Sequence, residues 1–235
     1  MALLPFHKKQ LALLIDPDKV NNEQLASICQ QLNKTPFDLV LVGGSLVMGD
    51  LDSVIAYLKK HTTLPVYIFP GNSIQLSDKA DGILFLSLVS GRNPEYLIGQ
   101  QVIAAPLLKR MQIDVVSVAY MLIEGGKTTS VEYMSNTKPI PSDKTDIIVA
   151  TALAAEYLGF KMIYLEAGSG ALEPISQEVV KCVAAQVNVP IIVGGGIRSA
   201  ALAQSYYDAG ASMVVIGSAI EQDVRKINEF NSLQK

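Results

Sequence analysis

Short runs of Val, Ile, Leu and aromatic residues recur along the chain near Leu11–Asp16, Leu39–Val42, Val66–Phe69, Ile83–Ser87, Val115–Ile123, Met162–Glu166, Ile191–Val193 and Met213–Ile216. These runs are continuously apolar rather than alternating, as strands covered on both faces should be, and most are followed by glycine and then a helix-like segment. Apolar spacing with Asn, Gly or Pro at the ends predicts helices at Asn22–Asn33, Asp50–His61, Pro94–Met111, Thr145–Leu158, Gln177–Gln186, Ala200–Ala209 and Glu221–Phe230. This alternation predicts a parallel α/β sheet, and with no long polar linker dividing residues 1–235 it predicts one modified (β/α)8 TIM barrel. Pro70–Asp81 holds Gly71 and Asn72 and leaves barely the dozen positions a crossover needs, so the third helix is expected to be missing or reduced. Thr128–Lys144, with Ser, Thr, Asn and prolines, reads as a loop over one mouth of the barrel.

Composition narrows the ligand rather than the fold. Hydrophobic residues make up 49% of the chain and charged ones 17%, and mean hydropathy is +0.30, enough apolar surface for a large core. Lys plus Arg number 19 against 22 Asp plus Glu, a net charge of -3. That lacks the basic excess of a general nucleic-acid binder, so an anionic ligand must be caught locally. Cys29 and Cys182 show no metal-ligand or redox spacing, and no apolar leader is evident, which reads as a cytoplasmic chain. The longest apolar runs, such as Ile113 to Ile123, fall short of the roughly 20 residues of a spanning helix, so no transmembrane segment is expected.

Candidate chemistry gathers at the ends of the expected strands. Gly194-Gly195-Gly196-Ile197-Arg198 follows the seventh strand and Gly217-Ser218 the eighth. Glycine lets backbone N–H groups approach an oxyanion, and in β/α barrels these two loops commonly hold a phosphate. Tight turns alone would also use glycine. Asp16-Pro17-Asp18-Lys19 and Gly43-Gly44-Ser45 end the first two strands, where Asp16 and Ser45 could hold Mg²⁺, an ion that prefers oxygen ligands and recruits phosphate oxygens. Asp-Pro-Asp is equally a turn or helix cap, in which Asp18 and Lys19 are solvated. Glu166 closes the sixth strand inside Tyr164-Leu165-Glu166-Ala167-Gly168-Ser169-Gly170. A carboxylate there needs a ligand hydroxyl, a cation or a lysine across the barrel. Ser87, Arg92 and Asn93 could face a ligand, while Asn93-Pro94 also reads as a helix start. His7 and His61 are isolated and no catalytic role is expected of them.

Taken in order, Asp16-Pro17-Asp18-Lys19, Gly43-Gly44-Ser45, Phe69-Pro70-Gly71-Asn72, Ser90 to Gly99, Tyr164 to Gly170 and Gly194 to Arg198 closely resemble geranylgeranylglyceryl phosphate synthases and their bacterial heptaprenylglyceryl relatives. The resemblance implies Mg²⁺-dependent transfer of a prenyl group, by expectation geranylgeranyl, from its diphosphate to the C3 hydroxyl of sn-glycerol 1-phosphate, the first ether bond of an ether lipid. It implies Asp16 and Ser45 as metal ligands, while Glu166 and Asp16 are expected to be the catalytic groups from their places at the ends of the sixth and first strands, Glu166 taking the glycerol hydroxyl proton. Tyr164, Leu165, Glu166, Ala167, Gly168, Ser169, Gly170, Gly194, Gly195, Gly196, Gly217 and Ser218 would surround glycerol phosphate. Many members carry a lysine two residues before the aspartate, where this chain has Leu14. A homo-oligomer with peripheral membrane contact for its lipid product is expected. Two rivals share the phosphate loops: a sugar-phosphate isomerase or aldolase barrel, and a non-enzymatic phosphate-binding module.

Overall fold

The computed structural model describes residues 8–234; His7 lies outside them. Strands β1 (Gln10–Ile15), β2 (Leu39–Val42), β3 (Val66–Ile68), β4 (Gly82–Leu88), β5 (Asp114–Leu122), β6 (Met162–Glu166), β7 (Ile191–Gly194) and β8 (Met213–Ile216) run parallel in chain order. The barrel closes by pairing β1 with β8, Leu11 opposite Val214 and Leu13 opposite Ile216. Every expected strand forms, with ends shifted by a residue at most.

The continuous apolar runs have the two destinations that a doubly covered strand requires. Ala12, Leu39, Leu41, Tyr67, Val118, Met162, Ile192 and Val215 face inward and fill the barrel, while Leu11, Leu13, Val40, Ile163, Leu165 and Val214 face outward under the helices. Those helices are α1 (Asn22–Leu32), α2 (Leu51–His61), α3 (Gln100–Met111), α4 (Ser130–Ser135), α5 (Thr145–Tyr157), α6 (Gln177–Ala184), α7 (Ala200–Asp208) and α8 (Ser218–Gln222).

Three segments differ from expectation. The helix expected at Pro94–Met111 opens with a π-helical turn at Glu95–Gly99 before α3 begins. Thr128–Lys144 contains α4, capped by the Thr129 hydroxyl and stopped by Asn136 in a left-handed conformation at φ 48°. The helix expected at Glu221–Phe230 starts earlier, as α8, and breaks at Asp223, whose carboxylate accepts the Arg225 N–H at 3.0 Å and starts a 3-10 segment at Val224–Ser232.

Between β3 and β4 there is no helix, as the short connection predicts. Turns replace it, pinned by Gln75, which accepts the Gly71 N–H at 3.1 Å and donates to the Gly44 carbonyl at 3.0 Å, and by Gln100, which accepts the Ser73 N–H at 2.7 Å. Phe85, an outward side chain of β4 that a third helix would cover, is instead half-buried beside a groove whose floor includes the fully packed Ile83.

Candidate active site

Strand alternation brings the candidate groups to one place. Inward positions of β6 are Met162, Tyr164 and Glu166; those of β1 are Ala12 and Leu14, with Asp16 next in phase. Leu14, Asp16, Ser45, Tyr164, Glu166, Ser169, Gly170, Gly195, Gly196, Gly217 and Ser218 line one cavity of about 330 Å³ at the carboxyl ends of the strands. The rings of Phe69, Tyr120 and Tyr164, tilted against one another with centroids 5.4 to 6.1 Å apart, also line this cavity. Leu165 and Ala167, expected in the glycerol phosphate segment, point instead into the sheet–helix layer.

Glu166 is buried, and no lysine satisfies it. Its Oε1 accepts the Gly168 N–H at 2.7 Å. The Tyr164 hydroxyl, also buried, lies on the side of Gly194 where the second carboxylate oxygen sits, and it has no partner of hydrogen-bond geometry. Burial pushes the Glu166 carboxyl from an ordinary 4.5 up to about 7, against the opposing pull of the Gly168 amide and the nearby Tyr164 hydroxyl. The Gly-rich loop after β7 is shaped around this carboxylate. Gly195 has φ +83°, and a Cβ there would overlap Glu166 Oε1 and stand 2.7 Å from the Gly168 nitrogen. At Gly217 the neighbours leave room, since a Cβ would meet only Leu14 at 3.6 Å. Ser169 and Ser218 tie the β6 and β8 loops together, their hydroxyl oxygens 3.2 Å apart.

At β1 both readings of Asp16 hold. One carboxylate oxygen caps the turn by accepting the Asp18 N–H at 3.1 Å, while the other is 3.0 Å from Lys19 Nζ. Asp18 and Lys19 are not idle ends of a cap: Asp18 accepts the N–H groups of Met48 and Gly49, fixing the loop after β2, and Lys19 also reaches Glu221 at 3.5 Å. Glu221, which sequence reasoning missed, is raised in pKa by burial and by Asp16, an effect Lys19 opposes. Asp16, Asp18, Glu166 and Glu221 against Lys19 and Arg198 leave the cavity two charges more acidic than basic when all are ionised. Ser87, Arg92 and Asn93 do not face this cavity. Ser87 donates to Leu97 O, Arg92 to Val89 O and Gly91 O, and Asn93 to Ser135 O at 2.7 Å, so their hydrogen bonds hold the loop and α4. His61 stacks on Tyr57 on the far side of α2 from the site chemistry.

Gly44, Ser45, Phe69, Tyr120 and Val131 border a second space as well, the groove left by the missing helix. It runs between Ile83, Phe85 and Leu86 on one side and Gln101 and Ala104 of α3 on the other. Polar cavity and apolar groove therefore share a wall, with Ser45 at the junction.

A family model described as the PcrB family matches residues 6–234. Geranylgeranylglyceryl phosphate synthase of Chitinophaga pinensis is 48% identical over 223 residues, covering 94% of this chain and 88% of that protein. The protein of the same name from Flavobacterium johnsoniae is 49% identical over 217 residues, covering 92% and 89%. Among solved structures, (S)-3-O-geranylgeranylglyceryl phosphate synthase from Thermoplasma acidophilum in complex with substrate sn-glycerol-1-phosphate superposes with a TM-score of 0.89 at 36% identity, covering 96% of this chain and 91% of that one.

Proposed function

The chain belongs to the PcrB family, and from that premise we propose that it is a prenyltransferase joining the C3 hydroxyl of sn-glycerol 1-phosphate to a prenyl diphosphate, with release of diphosphate, in ether-lipid synthesis. The observation that carries this reading is the shared wall between a polar cavity and an apolar groove. A sugar-phosphate isomerase or a phosphate-binding module has no use for a groove lined by Ile83, Phe85 and Ala104. A prenyl tail gains about 0.8 kcal/mol per buried CH₂ along such a surface. The names of the relatives favour geranylgeranyl diphosphate as donor.

In this reading the backbone at Gly195–Gly196 and Gly217–Ser218 receives the glycerol phosphate, and Glu166 orients the C3 hydroxyl. As the bond from that oxygen to the prenyl carbon forms and the carbon–diphosphate bond breaks, Glu166 takes the hydroxyl proton. An acceptor with a pKa of about 7 is better matched to this task than an ordinary carboxylate and is still anionic above neutrality. The donor set at the junction, the Asp16 carboxylate and the Ser45 hydroxyl, offers hard oxygen ligands. Among the described residues there is no group of three His, Cys, Asp or Glu able to hold a metal unaided. The Asp16 carboxylate and Ser45 hydroxyl suit Mg²⁺, which they would hold jointly with diphosphate oxygens and which would neutralise charge on the leaving group in a cavity that is itself acidic. A homo-oligomer and a peripheral approach to membrane belong to the same proposal. No helix among the described residues is long and apolar enough to cross a membrane.

Incubation with labelled sn-glycerol 1-phosphate, a panel of prenyl diphosphates and Mg²⁺ tests the reading. The expected result is a chloroform-soluble ether phosphate, formed fastest with the C20 donor and lost on chelation of the metal. No ether product with any donor overturns the reading; undiminished product in chelator removes the metal from it.

A further inference from the structure

Lys19 lines the cavity from the turn after β1, with about half of its side chain exposed. Its Nζ lies 3.0 Å from Asp16 Oδ2 and 3.5 Å from Glu221 Oε2. Both carboxylates are enclosed, with 12% and 13% of their side chains accessible, whereas 47% of the Lys19 side chain is open. The ammonium is thus the member of this trio that an entering ligand meets. The other cation lining the cavity, Arg198, already donates to Ala171 O at 2.9 Å. Leu14, beside Gly217, offers no charge.

Resting on the reading above, we propose that Lys19 is the cavity's mobile cation, parked between Asp16 and Glu221 and transferred to a phosphoryl oxygen of the substrate when it binds. A lysine suits the task, since its flexible four-carbon stem carries a compact charge with three rotatable donors. The transfer also uncovers Asp16 Oδ2, which in the resting site is engaged by the ammonium. Glu221 competes with the ligand for Lys19 and adds a negative charge that the ligand must overcome.

The test is calorimetric titration of the full chain with sn-glycerol 1-phosphate and, separately, with inorganic diphosphate plus Mg²⁺. Lys19→Met should weaken at least one of these by roughly tenfold or more, the effect of losing a hydrogen bond to a charged group, and the arm affected identifies which phosphoryl group it serves. Lys19→Arg, which keeps the charge, should stay within about threefold, with an unchanged unfolding midpoint as the control for folding. Glu221→Gln should tighten the same arm, and the gain should vanish in the Lys19→Met background. A merely structural brace would not give that sign. Lys19→Met binding both anions like wild type, or Glu221→Gln weakening binding as Lys19→Met does, would overturn the proposal while leaving the phosphate site standing. Wild-type protein that binds neither anion would remove the site reading itself, and this inference with it.

Discussion

On the β6–β8 side the barrel mouth is made by close approach: glycine loops lean onto a buried carboxylate, and the cavity is shaped by atoms that a Cβ would displace. On the β3–β4 side it is made by omission: the thirteen residues between Ile68 and Gly82 form turns where a helix would be, and part of the outer face of β4 becomes a groove wall. The first construction fixes polar groups within tenths of an ångström and tolerates little. The second gives an extended apolar surface whose exact shape matters less than its length and width. The contrast matches what two substrates of opposite character ask of one site. A small dianionic polyol needs directional contacts, while a hydrocarbon tail needs area.

The sharpest break in the comparison comes from adding one methyl group at each of the two glycine loops proposed to receive the phosphate. Gly195→Ala puts a Cβ into Glu166 Oε1 and the loop amides at a backbone of φ +83°, so glycerol phosphate affinity should fall by at least about 10³-fold. Gly217→Ala meets only Leu14 at 3.6 Å and should bind within a few-fold of wild type. Calorimetry on the two variants checks this, with thermal unfolding showing that both are folded. Equal losses would mean that close approach is not what distinguishes the two glycines.

That pair also shows how far the sequence carried. The strands were legible because doubly covered strands are continuously apolar, and the missing third helix because a dozen residues barely suffice for a crossover and leave no length for a helix. That Asp16 and Glu166 would face one cavity was legible because barrel strands present side chains at their carboxyl ends. Gly195 and Gly217 look alike in sequence, and only the packing around each tells a carboxylate neighbour from a leucine. Glu221 and the Lys19 bridge were hidden for a related reason. A glutamate near the start of an expected surface helix carries no local mark of facing inward, and it does so here because α8 begins at Ser218, placing residue 221 almost a full turn along. The short connection was read from chain length, but the groove beside Phe85 follows from which part of the outer face of β4 loses its cover.

Next in size is the proton acceptor. Glu166→Gln keeps a hydrogen-bonding group of the same shape but cannot accept a proton, so turnover should drop by at least about 10²-fold with glycerol phosphate binding mostly retained. In wild type, turnover should fall as pH drops below about 7, because burial holds the proton on the carboxyl there. Single-turnover rates across pH 5.5 to about 8.5 test both statements. A Gln variant within a few-fold of wild type would leave Glu166 a positioning residue and assign the proton to solvent or diphosphate.

On the groove side the expected effect is smaller and selective. Ala104→Phe projects a ring between α3 and β4 and displaces space equal to a few methylenes, which at about 0.8 kcal/mol each weakens a long prenyl diphosphate by roughly 50-fold. Short donors and glycerol phosphate should be almost unaffected. Competition assays with donors of graded length measure this, and a uniform loss across lengths would contradict the tail path.

The smallest effect concerns stability and again separates the polar side from the groove. The folded protein keeps the Glu166 proton up to about pH 7, whereas an unfolded chain releases it near 4.5. Between those values the folded state binds more protons, so this group's contribution to stability falls as pH rises through the window, by at most about 3 kcal/mol above it. Glutamine does not titrate. Its carbonyl could accept the Gly168 N–H, and its NH₂ could donate toward the unpartnered Tyr164 oxygen. Part of the gain is offset by burying the amide, leaving an expected stabilisation of about 1–2 kcal/mol at pH 8, or a few degrees in melting temperature. At about pH 3.5, a unit below the unfolded value, folded and unfolded wild type are both largely protonated and the two proteins should melt together. Ala104→Phe, remote from any shifted carboxyl, should show the same melting difference from wild type at both pH values. A Gln variant no more stable than wild type at pH 8 would mean that Glu166 is ionised at little cost, and that the loops after β6 and β7 solvate it better than its burial implies.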